Sequence, residues 1–391
     1  MFTSYRRILA EPGALRMSMA ALVARLPISM VGLGIVLLVS AATGRYGVAG
    51  AISAAYMIAN ALLAILQGRL LDRLGQAMVL SVASIGFGTA ISLLIVSVQA
   101  DWPIATTYLF AAIGGALLPQ VGSAVRARWS HVLDRPADVQ TAFALEAVLD
   151  EAVFILGPIA VAVLATAWHP VAGLAVALIA CVVGTLVFTA QTSTAPPAHP
   201  RDDTTGPRPS MPWRAVIPLA VVCAALGVLF GAAEVTTVAF AEEEGHKAVS
   251  GALLALWAAG SLSAGVITGA VHWRRGPATR VRWGSLAMAC AMTPLYFVGS
   301  LPVMGLVLFV AGFAIAPTMI ASMSLTESVV PSGRLTEGMA IMQTGLVAGV
   351  APGATLSGIV VDHQDASAAY LVSVAAGLVA ALAAQTLPRS G

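Results

Sequence analysis

The feature that most limits what this chain can become is an apolar run that keeps returning. Charge-free stretches of about 18 to 25 residues recur from one end of the sequence to the other, each long enough for a helix to cross a hydrocarbon layer roughly 30 Å thick. One buried soluble core has no room for so many of them. A closed barrel would need alternating strands of about 10 residues, whereas these stretches are continuously apolar and rich in Ala, Leu, Val and Gly. Composition agrees: 59% of the 391 residues are hydrophobic and 10% are charged, against about 25% charged in a soluble domain. The expected fold class is all-α and integral to the membrane.

Hydropathy and the polar breaks together place twelve spans, near 17–42, 48–70, 77–99, 103–125, 142–166, 171–193, 215–239, 248–271, 281–300, 302–324, 336–360 and 366–387. The first has too long an apolar core for a cleavable signal peptide and runs straight into further spans. Lys and Arg in short loops resist translocation. With a cytoplasmic N-terminus, only Arg45 and Lys247 of the 20 Lys and Arg fall outside, and Arg25 lies within the first span. That bias sets both the orientation and the even number of crossings, so both termini are expected in the cytoplasm.

The longest polar break, TSTAPPAHPRDDTTGPRPSMPWR at 192–214, has the Pro, Thr, Asp and Arg content of a flexible linker. It divides the chain into an amino-terminal six-helix bundle (1–193), a cytoplasmic linker (194–213) and a carboxy-terminal six-helix bundle (214–391). The halves echo each other. GRLLDRLG at 68–75 follows span 2 and GAVHWRRG at 269–276 follows span 8, an offset of 201. Gly114 and Pro119 in span 4 match Gly312 and Pro317 in span 10 at 198, and Pro158 in span 5 matches Pro352 in span 11 at 194. Such consistent offsets argue a parallel duplication, because an even six-helix half returns the chain to the same side of the membrane.

Twelve helices, a central linker and a Gly-x-x-x-Asp-Arg-x-Gly loop between spans 2 and 3 resemble the major facilitator superfamily over essentially the whole chain. The resemblance implies transport by alternating access, with a gating role for Gly68, Asp72, Arg73 and Gly75. Gln76 and Ala77 stand where that family usually carries a basic pair. The glycines permit a tight reversal and close helix approach. Asp72 is placed to hold an ionic latch with Arg73, or with Arg126 and Arg128 at the exit of span 4; the plainer alternative is that these charges only anchor the inner helix ends. Gly157 and Pro158 resemble the core of a span 5 signature associated with exporters, although Val161 and Ala162 replace two common glycines. The family's basic motif in span 4 would put an arginine at Leu117, so that charge is supplied by Arg25 or its role is absent.

Span 5 carries the stretch FALEAVLDEAVFILGP, 143–158. Glu146 and Asp150, four apart, share a helical face that Gly157 continues. Carboxylates at membrane depth are costly and usually face a cavity or a partner. The nearest counter-charge is Arg25, about eight residues into span 1, roughly 12 Å at 1.5 Å per residue. Asp150 and Glu151 lie at similar depth, so Arg25 can pair with either. Two readings stand: protonation breaks this pair and permits the conformational swing, with Asp150 the first choice of carrier, or Glu146 lies near the interface and the others form a permanent ion pair. Glu234, towards the outer third of span 7, can bind a cation, carry a proton or simply reach the interface. Gln120 and Gln343 can offer hydrogen bonds to a substrate or serve as structural glue.

Several classes are disfavoured. Lys247 is the only lysine and Ala248 follows it, so no Gly-Lys-Ser/Thr phosphate loop exists. His131, His169, His199, His246, His272 and His363 all sit in loops or at helix ends, which supports no metal site. Cys181, Cys223 and Cys290 fall within spans, so no disulfide is expected. No cofactor, enzymatic activity or nucleic-acid partner is expected. The reading is a monomeric secondary active transporter, a proton-coupled exporter of small lipophilic drugs or metabolites. Sodium is the alternative coupling ion. Import or exchange of a small organic solute is the alternative direction, and a non-transporting scaffold or sensor the alternative class. The Ala- and Arg-rich, Lys-poor composition suits a GC-rich bacterial genome and hence a bacterial inner (plasma) membrane.

Overall fold

A computed structural model describes residues 3–198, 209–246, 249–271, 273 and 275–387. Lys247, His199, His272, Arg201, Arg208, Arg274, Arg389 and much of the linker lie outside the described residues. Among those described the chain forms sixteen α-helices and no strand. A short α1 (Thr3–Leu9) precedes the first span, which is α2 (Ala14–Arg25) plus α3 (Pro27–Thr43). Then come α4 (Tyr46–Leu74), α5 (Gln76–Gln99), α6 (Ile104–Leu117), α7 (Val121–Val132), α8 (Pro136–Ala167) and α9 (Ala172–Thr189). The second half has α10 (Trp213–Glu243), α11 (Ser250–Ala270), α12 (Pro277–Met292), α13 (Leu301–Gly312), α14 (Ile315–Val329), α15 (Leu335–His363) and α16 (Ala366–Gln385).

Eleven of the twelve expected spans are long and apolar enough to cross a membrane, counting α2–α3, α6–α7 and α13–α14 as one span each. The ninth is the exception. It is expected at 281–300, but α12 is a 16-residue helix carrying Arg280 and Arg282, and a 3-10 turn at Thr293–Phe297 extends it. Pro294 in that turn lacks an N–H, which ends the regular ladder.

Prolines open helices where their missing N–H costs nothing: Pro27, Pro136, Pro277 and Pro302 stand in first turns. Pro119 instead interrupts. Its absent donor and fixed φ separate α6 from α7, and Gln67 of α4 donates to the carbonyls of Ala116 (2.9 Å) and Leu118 (3.0 Å) exposed at the break. That keeps backbone acceptors satisfied at a depth where water cannot do so.

Within each half of the chain small residues let the helices pack closely. In the carboxy-terminal bundle α10 lies on α15 so closely that a Cβ at Gly227 would sit 1.9 Å from the carbonyl oxygen of Leu346. Glycine alone allows that approach, and backbone proximity replaces the hydrophobic drive that lipid cannot supply. In the other half Arg128, at the end of α7, is fully buried. It donates to the carbonyls of Phe188 and Gln191, to Thr194 Oγ1 and to Gln76 Oε1, and stacks 3.8 Å above the Phe188 ring. A cation thus meets the negative end of the α9 dipole.

Candidate transport site

The break between α2 and α3 leaves Arg25 as the last residue of α2, 1% exposed. Its Nη2 donates to Glu146 Oε2 at 2.5 Å and its Nη1 to Asp150 Oδ1 at 2.6 Å, while Nε donates to the Ala21 carbonyl. The i, i+4 spacing on α8 lets one guanidinium span both carboxylates. Arg126 of α7 donates to the other oxygen of Asp150 at 2.7 Å. Glu146 Oε1 also accepts from Trp129 Nε1 (2.8 Å) and Ser18 Oγ (2.9 Å). Two cations and two anions therefore neutralise each other across α2, α7 and α8.

This is the expected span 1 to span 5 pairing with a different membership. Glu146 is fully buried and bonded rather than near the interface, and Glu151 is not one of the partners of Arg25. Arg126 joins the cluster although the sequence reads it as a loop charge. The Pro119 break restarts the helix at Val121, which puts Arg126 five residues inside α7. That proline was the available signal. Ser18 and Trp129 carried none.

Glu151 faces elsewhere. Beside its carboxyl stands Ser261 of α11, and no ion pair is formed by Glu151 among the described residues. It belongs to the seam between the halves. Thr141 donates to the Gly269 carbonyl at 2.9 Å, Ala144 packs on Gly269, and Val148 lies against Gly265. Ser261, Gly265 and Gly269, four apart, give α11 a narrow face that α8 enters, with Glu151 last in the series, nearly midway along α8. Tyr5 of α1 joins the same seam by donating to the Val266 carbonyl.

The loop after α4 forms a second seam. Asp72 accepts from the backbone N–H of Thr336 (3.1 Å) and Glu337 (2.8 Å), so it caps the first turn of α15 from the opposite half. Arg69 donates to Glu337 Oε1 at 2.9 Å, and Arg334 of the same half also grips Glu337. Gly68 is needed there, because its Cβ would fall 2.8 Å from that of Ala340 and 3.0 Å from the Thr336 carbonyl oxygen. Gly75 turns the chain at φ +87°, which disfavours any side chain. Of the basic residues expected to latch Asp72, Arg126 is engaged by Asp150 and Arg128 by α9, and it is these helix N-terminal donors that Asp72 meets across the seam. Arg73 leaves Nε buried with no acceptor.

Of the other expected residues, Gln120 donates to Asn60 Oδ1 at 3.0 Å, and Gln343 Nε2 would lie 3.8 Å from a Cβ on Gly122, beside Arg25 and Arg126. A Cβ on Gly157 would fall 1.9 Å from Ser29 Oγ, so the glycine admits the α3 hydroxyl that donates to the Val153 carbonyl. Helix α8 continues through Pro158. Glu234 is exposed on α10 and unpaired among the described residues. The cross-bundle hydrogen bonds donated by Tyr5, Arg69, Gln140 and Thr141 and accepted by Asp72 cluster in the linker-side half of the spans.

Two bundles docked at one end around inward-turned ionisable groups define a membrane transport fold. Residues 17–335 match the family described as Major Facilitator Superfamily, and the chain belongs to that superfamily. It is similar over its length to the human organic anion transporter MFSD10 (TETRAN), at 18% identity and TM-score 0.75, covering 97% of this chain and 99% of that one. A bacterial homologue of the iron transporter ferroportin in an outward-facing state gives 15%, 0.76, 95% and 98%. The E. coli fucose:proton symporter FucP gives 12%, 0.69, 97% and 99%. At these identities the likeness is one of fold. No curated protein matches the sequence significantly.

Proposed function

We propose that the protein is a proton-coupled secondary transporter of the bacterial inner membrane, expelling small lipophilic molecules by alternating access, with both termini cytoplasmic. In that orientation the linker end is the inner gate, and its seams of Asp72 with α15 and α8 with α11 are shut. The arginine bias of the linker-side loops supports the orientation. The small number of polar groups offered by the spans supports a lipophilic substrate.

The observation that carries the reading is Glu151, a carboxylate at membrane depth on the seam that must part for the inner gate to open. Protonating Asp150 would leave two buried guanidiniums with Glu146 alone between them. Protonating Glu151 leaves no cation uncompensated. The Arg25–Glu146–Asp150–Arg126 cluster then acts as the scaffold that holds α8, and Glu151 as the group that loads and releases the proton. This shifts the expected proton carrier by one residue along the helix.

The test is substrate-dependent proton flux in proteoliposomes that carry an internal pH-sensitive dye, screened with lipophilic compounds and run with and without sodium. Glu151→Gln is expected to reduce the flux to that of empty liposomes while keeping substrate binding, and folded Asp150→Asn to retain coupling. Normal coupling in Glu151→Gln would sink the assignment, and flux that required sodium instead of a proton gradient would replace the coupling ion.

A further inference from the structure

Arg280 and Arg282 lie two residues apart on α12, so their side chains leave the helix about 200° apart. Arg282 is engaged by its own half, its Nε and Nη2 donating to the carbonyls of Ala384 (3.2 Å) and Leu387 (2.5 Å) at the end of α16. Arg280 has no such partner among the described residues. Its Nε and Nη1 are shut off from solvent with no acceptor, and its guanidinium lies 5.7 Å from the centre of the Trp273 ring. The guanidinium as a whole is partly exposed, but two buried N–H donors without an acceptor are costly, so something outside the protein is expected to satisfy them.

Arg280 lines a cavity of about 310 Å³ between α11, α12 and the α13–α14 break. Its loop end carries Arg275, Arg280 and the indoles of Trp273 and Trp283. Arg275 is exposed and without a partner among the described residues. Among the described residues no carboxylate lines the cavity. The far end is apolar, formed by Ala287 of α12 and by Phe313 and Pro317 where the tenth span is broken. The cavity is thus cationic near the membrane surface and oily towards the membrane centre. The internal repeat sharpens the point: at the offset of 201 set by the loop glycines, Arg275, Arg280 and Trp283 correspond to Leu74, Val79 and Val82. The fold does not itself require charges there.

We propose that this cavity binds the phosphate of an anionic membrane lipid, its acyl chains lying along Ala287 and Phe313. A guanidinium fork matches two phosphate oxygens, and a second arginine adds charge. Tryptophans at this depth sit at the headgroup level. Basic pockets between spans are a recurrent way to hold anionic headgroups. A free phosphate ion would use the arginines and ignore the apolar half of the cavity.

The experiment is native mass spectrometry of the detergent-solubilised full chain titrated with dioctanoyl phosphatidylglycerol, dioctanoyl phosphatidylcholine or inorganic phosphate. The wild type is expected to retain phosphatidylglycerol over the other two. Arg280→Gln is expected to weaken that binding at least about tenfold, with Arg280→Lys intermediate, because it keeps the charge and loses the fork. Arg214→Gln, at an exposed arginine beside Trp213 at the start of α10, is expected to bind as the wild type does. Equal retention of both lipids, an unchanged affinity in folded Arg280→Gln, or an equal loss in Arg214→Gln would overturn the site. Inorganic phosphate binding as tightly as the lipid would overturn the lipid assignment. Should Arg280→Gln fail to fold, the Arg280→Lys comparison alone decides.

Discussion

Replacing Asp72 by Asn keeps the side-chain shape and one acceptor oxygen, but removes the charge and one of two hydrogen bonds to the first turn of α15. A bond to a charged group contributes about 1.5–3 kcal/mol. A charge near a helix N-terminus contributes up to about 2 kcal/mol where it is partly buried. Because the two bonds share one carboxylate, these contributions overlap, and a loss of about 2 kcal/mol is the expected net effect. At 1.4 kcal/mol per tenfold, the ratio of closed to open at the linker end falls about 30-fold. Spin labels on Leu74, exposed at the end of α4, and Ser328, exposed on α14, bracket this gate. Cys290→Ser removes the exposed native thiol, and Cys181 and Cys223 are buried. Double electron–electron resonance should then show a long-distance population in Asp72→Asn that the parent lacks, and no change in Asp134→Asn on an exposed loop. An unchanged distribution in Asp72→Asn, or the same change in both variants, would refute the idea that this cap sets the preference.

Two further outcomes follow from packing and charge balance. Asp150→Asn strips a carboxylate from between two buried guanidiniums, so thermal unfolding in detergent should register a loss of about 3–5 kcal/mol, part of which the double variant Arg126→Met with Asp150→Leu should restore. Gly227→Ala drives a Cβ into the Leu346 carbonyl and should cost about 1–3 kcal/mol, whereas Gly251→Ala, with nothing within 4 Å, should be neutral or slightly stabilising.

Long apolar runs, arginine bias and the paired glycines and prolines make the architecture legible in the sequence alone, because bilayer thickness and backbone satisfaction leave few alternatives. The ninth span escaped that logic, since Arg280 and Arg282 interrupt the run and a proline-bearing turn completes it. At the charge cluster, the one-face rule brought Glu146 and Asp150 together and membrane depth pointed to Arg25. Arg126 was invisible as a partner because hydropathy alone treats a charge near a span's end as a loop anchor, and only the break at Pro119 shows that a helix continues past it. The cap on α15 was equally hidden: its donors are backbone N–H groups, which every sequence carries and none advertises.

Glu337 is held from two sides, by Arg69 of the opposite half and by Arg334 three residues away on its own side. In the proposed cycle α4 would move off α15, Arg69 would depart and Arg334 would stay, so the carboxylate would pass from shared to sole custody without standing alone in a dry environment. A resident counter-ion of this kind would spare an opening gate an orphaned charge, while the Arg69 contact, made only when the seam is closed, would add to the preference set by the Asp72 cap.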